Sequence, residues 1–519
     1  MPAESRVVFP KRWSTTVWVT AASLFVAICY AFTLALGLLC IAFALLTLKS
    51  VELAPASILL LSAAAVFGIV IVWSVFPRHD KFDPPGVRID LADHPRLASE
   101  INRIAAAFDQ RLPDDIFITP QVSAWVAQRG GILGLGSRRV MGLGLPLMQV
   151  LSVSQLRAVL AHECAHYYGG DTRLGPWLYT SRSGMARTLT NLTKTEGLNA
   201  VLRRLPYVGI VYSGLVILIH LQFKLFLRIT FLMSRQQEYR CDELACRLTG
   251  SDPLMSGLQS IVGAAGLENL YWQNVVLPVI QTGYRPPLAE GFSSFLSDTK
   301  IEEARNVRIK LALKKSTSAI YDSHPPLPSR LSRMRAVNEP DTNPADQSSV
   351  SLFNNLSDLE VALARFLFRD TPVEKATPLA WNRLGTTAFA PVWRQSLTAH
   401  QWFFAGKTAG DLVELAKSLP ELAKSIRNPP RRLLDQTQRL SLANHLLTNA
   451  FTLTLNDHGW EFYTRPASAY LTKGPHQIDP RGIVQGIVAG TTTSDAWRKL
   501  AGSYGIDQLP LLTSNLAAE

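Results

Sequence analysis

The stretch AVLAHECAHYYGGDTRL, residues 158–174, places two histidines four positions apart with a glutamate between them. Side chains four residues apart lie on the same face of an α-helix, so His162 and His166 can present two imidazoles to one metal ion. Glu163 lies beside the first histidine, where a carboxylate can take a proton from water held at that ion. This spacing is the one expected for a zinc site with two histidine ligands and a general base.

The sequence around this stretch predicts the helix that the spacing requires. Ser152 and Gln155 form a capping-box pattern at the start of SVSQLRAVLAHECAHYY, and the glycine pair at 169–170 supplies a stop. Cys164 is two positions from His162 and therefore points to the far side of the helix. We expect a packed thiol there rather than a metal ligand.

A catalytic zinc ion usually has three protein ligands and leaves a fourth position for water. The segment SRQQEYRCDELACRL, residues 234–248, is predicted to be helical and offers the best candidates for the third ligand. Glu238 and Asp242 share a helix face, so Glu238 can ligate the metal while Asp242 accepts a hydrogen bond from a ligand histidine. Without the histidine motif, the same two residues would be interpreted as solvated helix charges.

Two long uncharged runs precede the histidine motif. No charged residue occurs from Trp13 to Leu48, and a second uncharged run extends from Leu53 to Pro77. Each run exceeds the roughly 20 residues that cross a bilayer core of about 30 Å. A buried core helix or a cleaved signal peptide would account for one such run. Two in tandem, without a small-residue cleavage site, predict a transmembrane hairpin.

The basic residues that flank this hairpin predict its orientation. The bias of Lys and Arg toward the cytoplasm places the N-terminus and everything after Pro77 on the cytoplasmic side. These flanking residues are Arg6, Lys11, Arg12, Arg78, Lys81 and Arg88. The net charge of +12 fits contact with the anionic lipid bilayer, whereas no basic, aromatic-interleaved module indicates binding of nucleic acid. The five cysteines lack the pattern of a disulfide framework, which indicates a reducing compartment.

A third uncharged run, Leu205 to Phe223, lies between the two halves of the candidate site. A single membrane crossing there would put Glu238 and His162 on opposite sides of the membrane, so the number of crossings between them must be even. Lys224 and Arg228 interrupt the apolar sequence that follows. These features favour a helix that lies at the interface or dips into the membrane, with a short re-entrant hairpin as the alternative.

Three motifs together carry a family resemblance. LRAVLAHECAHYYGGD, SRQQEYRCDELA and SHPPLPSRL follow one another in this order. Over roughly residues 78–335 the chain resembles the HtpX-like and CAAX-prenyl-protease class of membrane zinc metallopeptidases. The resemblance implies one Zn²⁺ per chain with His162, His166 and Glu238 as ligands, Glu163 as catalytic base and Asp242 supporting the ligands.

The resemblance also implies roles for three further residues. An aspartate five residues after the second histidine is usual in this class, and Asp171 stands at that position, where it more plausibly supports the helix end than ligates zinc. His324 and Arg330, from the third motif, are implied to approach the active site and stabilise the oxyanion of the tetrahedral intermediate. Considered without the resemblance, their segment would be a turn and a helix start with a solvated arginine.

The chain departs from this class at three places. Small residues are usual at the positions of Cys164 and Cys241. The strand that holds the substrate commonly contains Asn-Ala-Phe, whereas this chain has Ser-Ala-Trp at 123–125. The resemblance does not extend to the region after residue 350.

We therefore expect an α+β, mainly helical protein. It would contain an N-terminal transmembrane helical hairpin, a zincin-like metallopeptidase domain with a small edge-stranded sheet, and a C-terminal mixed α/β accessory domain. The expected boundaries are a cytoplasmic tail at 1–12, the hairpin at 13–77, the metallopeptidase domain at 78–336, a linker rich in Asn, Pro, Asp and Ser at 337–351, and the accessory domain at 352–519. The segment WEFYTRPASAYLT, residues 460–472, is predicted to form a β-hairpin.

The expected function is that of a membrane-anchored zinc endopeptidase in the bacterial cytoplasmic membrane, with its active site facing the cytoplasm. An extended polypeptide substrate would pair with an edge strand within residues 117–144. Anchoring favours membrane or membrane-proximal substrates, including damaged proteins in quality control. A protease dedicated to one precursor or lipidated substrate is one alternative. A non-catalytic membrane scaffold acting through residues 352–519 is another, although a scaffold has no need of Glu163.

Overall fold

The computed structural model describes residues 13–49, 54–76, 78–132, 135–168, 183–191, 206–315, 324–341, 343–428 and 433–511. The contacts divide the chain into two compact units. The first unit comprises the residues up to Ala265 together with Arg305–Leu356. The second comprises Gly266–Ala304 together with the residues from Ser357 onward.

Helices dominate the described residues, and short strands form small sheets, as expected for an α+β, mainly helical protein. In chain order the helices are α1 (Trp13–Thr47), α2 (Pro55–Val75), α3 (Pro95–Ala107), α4 (Leu145–Val150), α5 (Val153–Ala165), α6 (Pro206–Thr249), α7 (Ser251–Ala264), α8 (Leu267–Tyr271), α9 (Leu277–Gln281), α10 (Leu288–Leu296), α11 (Thr299–Lys314), α12 (Leu327–Val337), α13 (Leu356–Leu367), α14 (Ala390–Thr398), α15 (Gln401–Phe404), α16 (Leu412–Lys417), α17 (Leu419–Ser425), α18 (Gln436–Asp457), α19 (Pro480–Val488) and α20 (Ser494–Ser503). The strands are β1 (Val87–Ile89), β2 (Asp115–Thr119), β3 (Ala124–Arg129), β4 (Arg138–Gly144), β5 (Tyr284–Arg285), β6 (Thr377–Pro378), β7 (Glu461–Thr464), β8 (Ala469–Lys473) and β9 (His476–Ile478). A further helical segment covers residues 183–191.

The two uncharged runs form the packed helices α1 and α2. Their backbones approach closely where Gly37 faces Gly68, because a Cβ on Gly68 would lie 2.5 Å from the carbonyl oxygen of Gly37. The hydroxyl of Tyr30 donates a hydrogen bond to the carbonyl oxygen of Val75. These contacts join α1 and α2 into a helical hairpin, and its crossing of a membrane stays a prediction.

The outer surface of this hairpin is apolar. Large side chains such as Leu39, Leu46 and Trp73 are more than half exposed, at 65%, 67% and 69%. By length and composition, Leu24–Thr47 and Ser213–Thr249 are each long and apolar enough to cross a membrane. An exposed apolar surface of this kind is typical of a membrane-interaction surface.

The third uncharged run is the first half of α6, a continuous helix of 44 residues. At a rise of 1.5 Å per residue, α6 is about 66 Å long. Ile219 packs in a cluster with Phe67 and Ile71 of α2, and Phe226 packs in a cluster with Val26 of α1. The alternative of a re-entrant hairpin was therefore wrong, whereas the position of this helix at or in the membrane stays a prediction. Lys and Arg have good helix propensity, so the charges that follow the run do not end the helix.

A four-stranded sheet with the order β1-β2-β4-β3 lies in the first unit. β2 and β4 are parallel, and β3 pairs with β4 in the antiparallel sense, from Ala124 opposite Leu143 to Arg129 opposite Arg138. This order leaves β3 at an edge of the sheet. The small edge-stranded sheet expected from the sequence is thus present. Its strand β4 ends at Gly144, and α4 begins at the next residue.

α5 carries the histidine motif and has the predicted start. The side chains of Ser152 and Gln155 each accept a hydrogen bond from the other residue's backbone amide, which completes the capping box. Arg157 forms a bidentate ion pair with Glu100 of α3, with both nitrogen–oxygen distances at 2.7 Å. These contacts fix α5 against the rest of the unit. The glycine pair predicted to stop the helix lies outside the described residues.

The segment predicted as a linker, 337–351, packs against α4 and α5 in the structure. The carbonyl oxygen of Asn343 accepts a hydrogen bond of 2.6 Å from Arg157, and the Ser349 hydroxyl donates one of 2.7 Å to Met148. Its content of Asn, Pro, Asp and Ser thus indicates an irregular backbone, but the segment packs on the first unit and is not a free linker. The division of the chain differs accordingly, because the first unit continues to Leu356 and residues 266–304 group with the C-terminal region.

The second unit has its own core, built around α18. Trp497 is completely buried and meets Phe451 of α18 at a ring-centroid distance of 5.7 Å. Its indole nitrogen donates a hydrogen bond of 2.8 Å to the carbonyl oxygen of Ala409. β7 and β8 form the antiparallel hairpin predicted within residues 460–472, and β9 extends it to three strands.

Candidate metal centre

α5 places His162 and His166 side by side. Their ring centroids are 5.0 Å apart and the rings are nearly perpendicular, at 89°. His162 is buried, whereas the side chain of His166 remains 30% exposed. The i, i+4 spacing seen in the sequence therefore produces one shared face, which is open on the side of His166.

α6 packs along α5 and supplies Glu238 to the same face. One carboxylate oxygen of Glu238 lies 3.5 Å from Nε2 of His162, and the other lies 3.5 Å from Nε2 of His166. Although burial would raise the pKa of Glu238, hydrogen bonds from His162 and His324 hold it well below the usual value for glutamate. Glu238 is thus an ionised carboxylate between two imidazoles.

These separations are of the size expected around a single metal ion. Zinc–ligand distances of about 2.0–2.2 Å place neighbouring ligand atoms of a tetrahedron about 3.3–3.6 Å apart. One candidate ligand atom from each of His162, His166 and Glu238 lies within 4.8 Å of the others. Two imidazoles and one carboxylate are also a donor set found in catalytic zinc sites. The residues that the structure brings together therefore fit one zinc ion.

Asp242 lies behind His162, one helical turn beyond Glu238. Its Oδ1 is 3.0 Å from Nδ1 of His162. Although burial alone would lower the pKa of His162, the carboxylates of Asp242 and Glu238 raise it to about 9. A carboxylate at the far nitrogen orients the imidazole and leaves Nε2 for a metal.

Arg330 is buried against the same carboxylate. Its Nε and one terminal nitrogen contact the two oxygens of Asp242 at 2.8 and 2.6 Å, and the other terminal nitrogen lies 3.4 Å from Glu238. The guanidinium therefore faces the ligand-supporting carboxylates. This arrangement differs from the predicted oxyanion role, because the donors of Arg330 are directed at Asp242 and Glu238.

His324 lies at the open side of the site. Its Nδ1 is 3.1 Å from Glu238, and its side chain is 67% exposed. The hydrogen bond to Glu238 raises the pKa of His324 above the usual value for histidine. An exposed imidazole beside a ligand carboxylate is accessible to substrate, and its oxyanion role remains a prediction. Asp171 lies outside the described residues.

Glu163 lies next to the edge strand β3. Burial raises the pKa of Glu163 to about 7, while the positive charge of His162 and a hydrogen bond from the Val126 amide act in the opposite direction. The neighbouring Tyr167 hydroxyl donates a hydrogen bond of 2.9 Å to the carbonyl oxygen of Val126. The sequence analysis missed Tyr167 and Val126. The position of a tyrosine directly after the motif does not indicate which strand its hydroxyl will contact.

The cysteines near the site are free thiols. Burial raises the pKa of Cys164 and that of Cys246 to about 12, and burial raises the pKa of Cys241 well above its usual value. A protonated thiol is a poor metal ligand and a poor nucleophile. This agrees with the packing role predicted for Cys164.

The pKa of His162 leads to a prediction for metal binding. Zinc requires neutral imidazole, whereas a pKa of about 9 keeps His162 protonated at pH 7. Zinc binding at pH 7 is therefore expected to release at least about one proton per site, measured by titration calorimetry in buffers of different ionisation enthalpy. Asp242→Asn should release fewer protons and bind zinc about 10–100-fold more weakly. Equal heats in all buffers would contradict the prediction.

An H-E-x-x-H motif on one helix with a third candidate ligand on a second helix is a pattern typical of metallopeptidases. Comparison with known proteins is consistent with this class, since residues 92–338 match the family profile of peptidase family M48. This region contains all the candidate site residues described above. The predicted resemblance to HtpX-like membrane zinc metallopeptidases is confirmed for this part of the chain.

Two curated relatives are both named Protease HtpX. The protein from Erwinia tasmaniensis is 25% identical over 227 residues, which cover 42% of this chain and 67% of the relative. The protein from Pseudomonas syringae pv. tomato is 24% identical over 228 residues, covering 42% of this chain and 65% of the relative. The matched part of the chain thus spans about two thirds of each relative's length. No solved structure matches the chain at a significant level.

Proposed function

We propose that this protein is a membrane-anchored, zinc-dependent endopeptidase. The observation that carries the proposal is the convergence of His162, His166 and Glu238 from two packed helices, with Glu163 beside them. When bound, zinc supplies a Lewis acid and lowers the pKa of its water toward about 7. Glu163 accepts the proton from the attacking water and passes it to the leaving amine.

Strand β3 is the proposed docking site for the substrate backbone. An extended peptide can add to an exposed sheet edge through main-chain hydrogen bonds. The peptide groups of Val126 are engaged by Glu163 and Tyr167, which ties the strand to α5. Because the direction of the backbone groups alternates along a strand, the peptide groups of Ala124 and Gln128 point the same way as those of Val126. A peptide paired beside them would extend past Glu163.

The membrane anchor comprises α1, α2 and the first half of α6. The apolar part of α6 ends at Met233, five residues before Glu238, so the metal centre would lie about 8 Å along the helix from the apolar part. The number of membrane crossings between His166 and Glu238 must be even, because the two residues share one side. Basic flanking residues favour the cytoplasmic side of a bacterial inner membrane.

This position favours membrane or membrane-proximal polypeptides as substrates, including damaged membrane proteins in quality control. A protease dedicated to one precursor or lipidated substrate is the narrower alternative. The second unit has a core of its own, which is the observation that favours an interaction role for the C-terminal region. A non-catalytic scaffold would not need Glu163 beside three convergent metal-binding groups.

Metal removal tests the proposed activity. We expect detergent-purified protein to cleave casein, to lose this activity after treatment with a chelator, and to regain it when Zn²⁺ is added back. The measurement is the rate of fluorescent peptide release alongside the zinc content of each sample. Zinc retained at one per chain without cleavage of casein or of membrane proteins in vesicles would contradict the endopeptidase and favour the scaffold.

A further inference from the structure

The turn between β3 and β4 has an unusual surface. We define the hairpin tip as the described residues 130–132 and 135–137. Ile132 and Leu135 exchange both of their backbone hydrogen bonds, at 3.1 and 3.0 Å, so they lie opposite each other. Cross-strand partners project from the same face of a hairpin. Both of these side chains are exposed, that of Ile132 at 47% and that of Leu135 at 79%. The tip thus presents apolar side chains to its surroundings beyond the end of the sheet.

The hairpin tip is fastened to the chain that emerges from α2. The Asp80 carboxylate accepts hydrogen bonds from Arg129 at 2.8 and 3.0 Å and from the Gly130 amide at 2.8 Å. The backbone amide of Asp80 donates a hydrogen bond of 2.9 Å to the carbonyl oxygen of Gly131. Asp80 follows Phe76 by four positions, so their Cα atoms are at most about 14 Å apart. The tip therefore lies close to the end of α2.

The end of α2 has the character of a membrane interface. Trp73 and Phe76 are 69% and 65% exposed, and the guanidinium of Arg78 lies 5.5 Å from the Trp73 ring centroid. Aromatic and basic side chains are enriched where a helix leaves the hydrocarbon. Arg138, at the base of the tip, has a side chain that is 74% exposed. Exposed apolar side chains near Arg78, and near an Arg138 that also contacts Asp115 at 3.8 Å, are compatible with the surface of a bilayer that contains anionic lipid.

We propose that the hairpin tip inserts Ile132 and Leu135 into the membrane surface and forms a second lipid contact beside α2. This inference rests on the membrane anchoring in the proposed function. Because the tip is continuous with β3, the contact fixes the edge strand, and any peptide paired with it, next to the bilayer. The site would then select segments that directly follow or precede a membrane-embedded part of the substrate.

The test measures the depth of the tip directly. A nitroxide label is attached at Leu135→Cys in the full chain, reconstituted into vesicles of phosphatidylcholine and phosphatidylglycerol. The matched control is Gln121→Cys, an exposed position beyond the other end of β3, a strand whose six residues span roughly 20 Å. Labelled wild-type protein supplies the background from the native cysteines. Collision rates with oxygen, which enriches in lipid, and with a water-soluble nickel chelate report depth.

We expect the oxygen-to-nickel accessibility ratio to be several-fold higher at position 135 than at position 121, corresponding to a depth of about 5–10 Å. Equal, water-like ratios at the two positions would overturn the proposal. The measurement requires no peptidase activity. A failed tip contact would therefore leave the zinc endopeptidase intact, and a failed endopeptidase would not alter the depth result.

Discussion

Replacing Glu163 with glutamine is expected to lower kcat/KM for casein by about 10²–10⁴-fold while the zinc content stays unchanged. This loss corresponds to about 3–5 kcal/mol of transition-state stabilisation. Glutamine keeps the size and shape of the side chain but cannot accept the proton of the attacking water. The proposed zinc-binding groups are on His162, His166 and Glu238, so the substitution should remove proton transfer rather than the metal site.

The matched control for this variant is Glu243→Gln on α6. This substitution makes the same chemical change in an ordinary surface ion pair, in which the Glu243 carboxylate lies 3.0 Å from the Arg247 guanidinium. It should retain full activity, since exposed pairs of this kind contribute little. Activity in Glu163→Gln within tenfold of the wild type, at equal zinc content, would show that another group is the base.

Glu238→Ala is expected to abolish stable zinc binding. The substitution removes one of three proposed ligands, so the loss of affinity should exceed the roughly 100-fold that typically follows loss of a supporting outer-shell group. It also removes one of the two carboxylates that contact Arg330 and a protonated His162, which leaves the site more positive and opposes binding of a cation. The measurement is competition for Zn²⁺ with a chelating dye, together with casein cleavage.

Glu243→Ala serves as the control for this variant, because it lies on the same helix and contacts Arg247. It should bind zinc as tightly as the wild type. Circular dichroism of both variants checks that α6 remains helical. Wild-type zinc affinity in Glu238→Ala would place the third ligand elsewhere.

Local patterns in the sequence predicted the parts of the site that lie within one helix. The spacing of His162 and His166 specifies a shared face wherever the helix packs, and the capping box at Ser152 specifies where that helix begins. The same logic placed Glu238 and Asp242 one turn apart. Such features depend on residues three or four positions away, and the sequence contains all of that information.

Contacts between distant segments could not be predicted in the same way. The bidentate pairing of Arg330 with Asp242 depends on how α12 packs against α6, which no local pattern encodes. The continuity of α6 was missed because Lys224 and Arg228 signal the end of an apolar run without ending a helix. Likewise, the Asn, Pro, Asp and Ser residues at 337–351 indicate irregular backbone but do not reveal that it packs on α5.

The central claim is that two imidazoles and one carboxylate, from His162, His166 and Glu238, hold a single zinc ion. Zinc K-edge X-ray absorption of the full-length protein, combined with metal analysis, tests it most directly. We predict one zinc per chain, nitrogen and oxygen scatterers at about 2.0–2.2 Å, and the outer-shell scattering of imidazole. Sulfur scatterers at about 2.3 Å would instead indicate thiolate ligands and contradict the claim, since Cys164 and Cys241 lie close to the site.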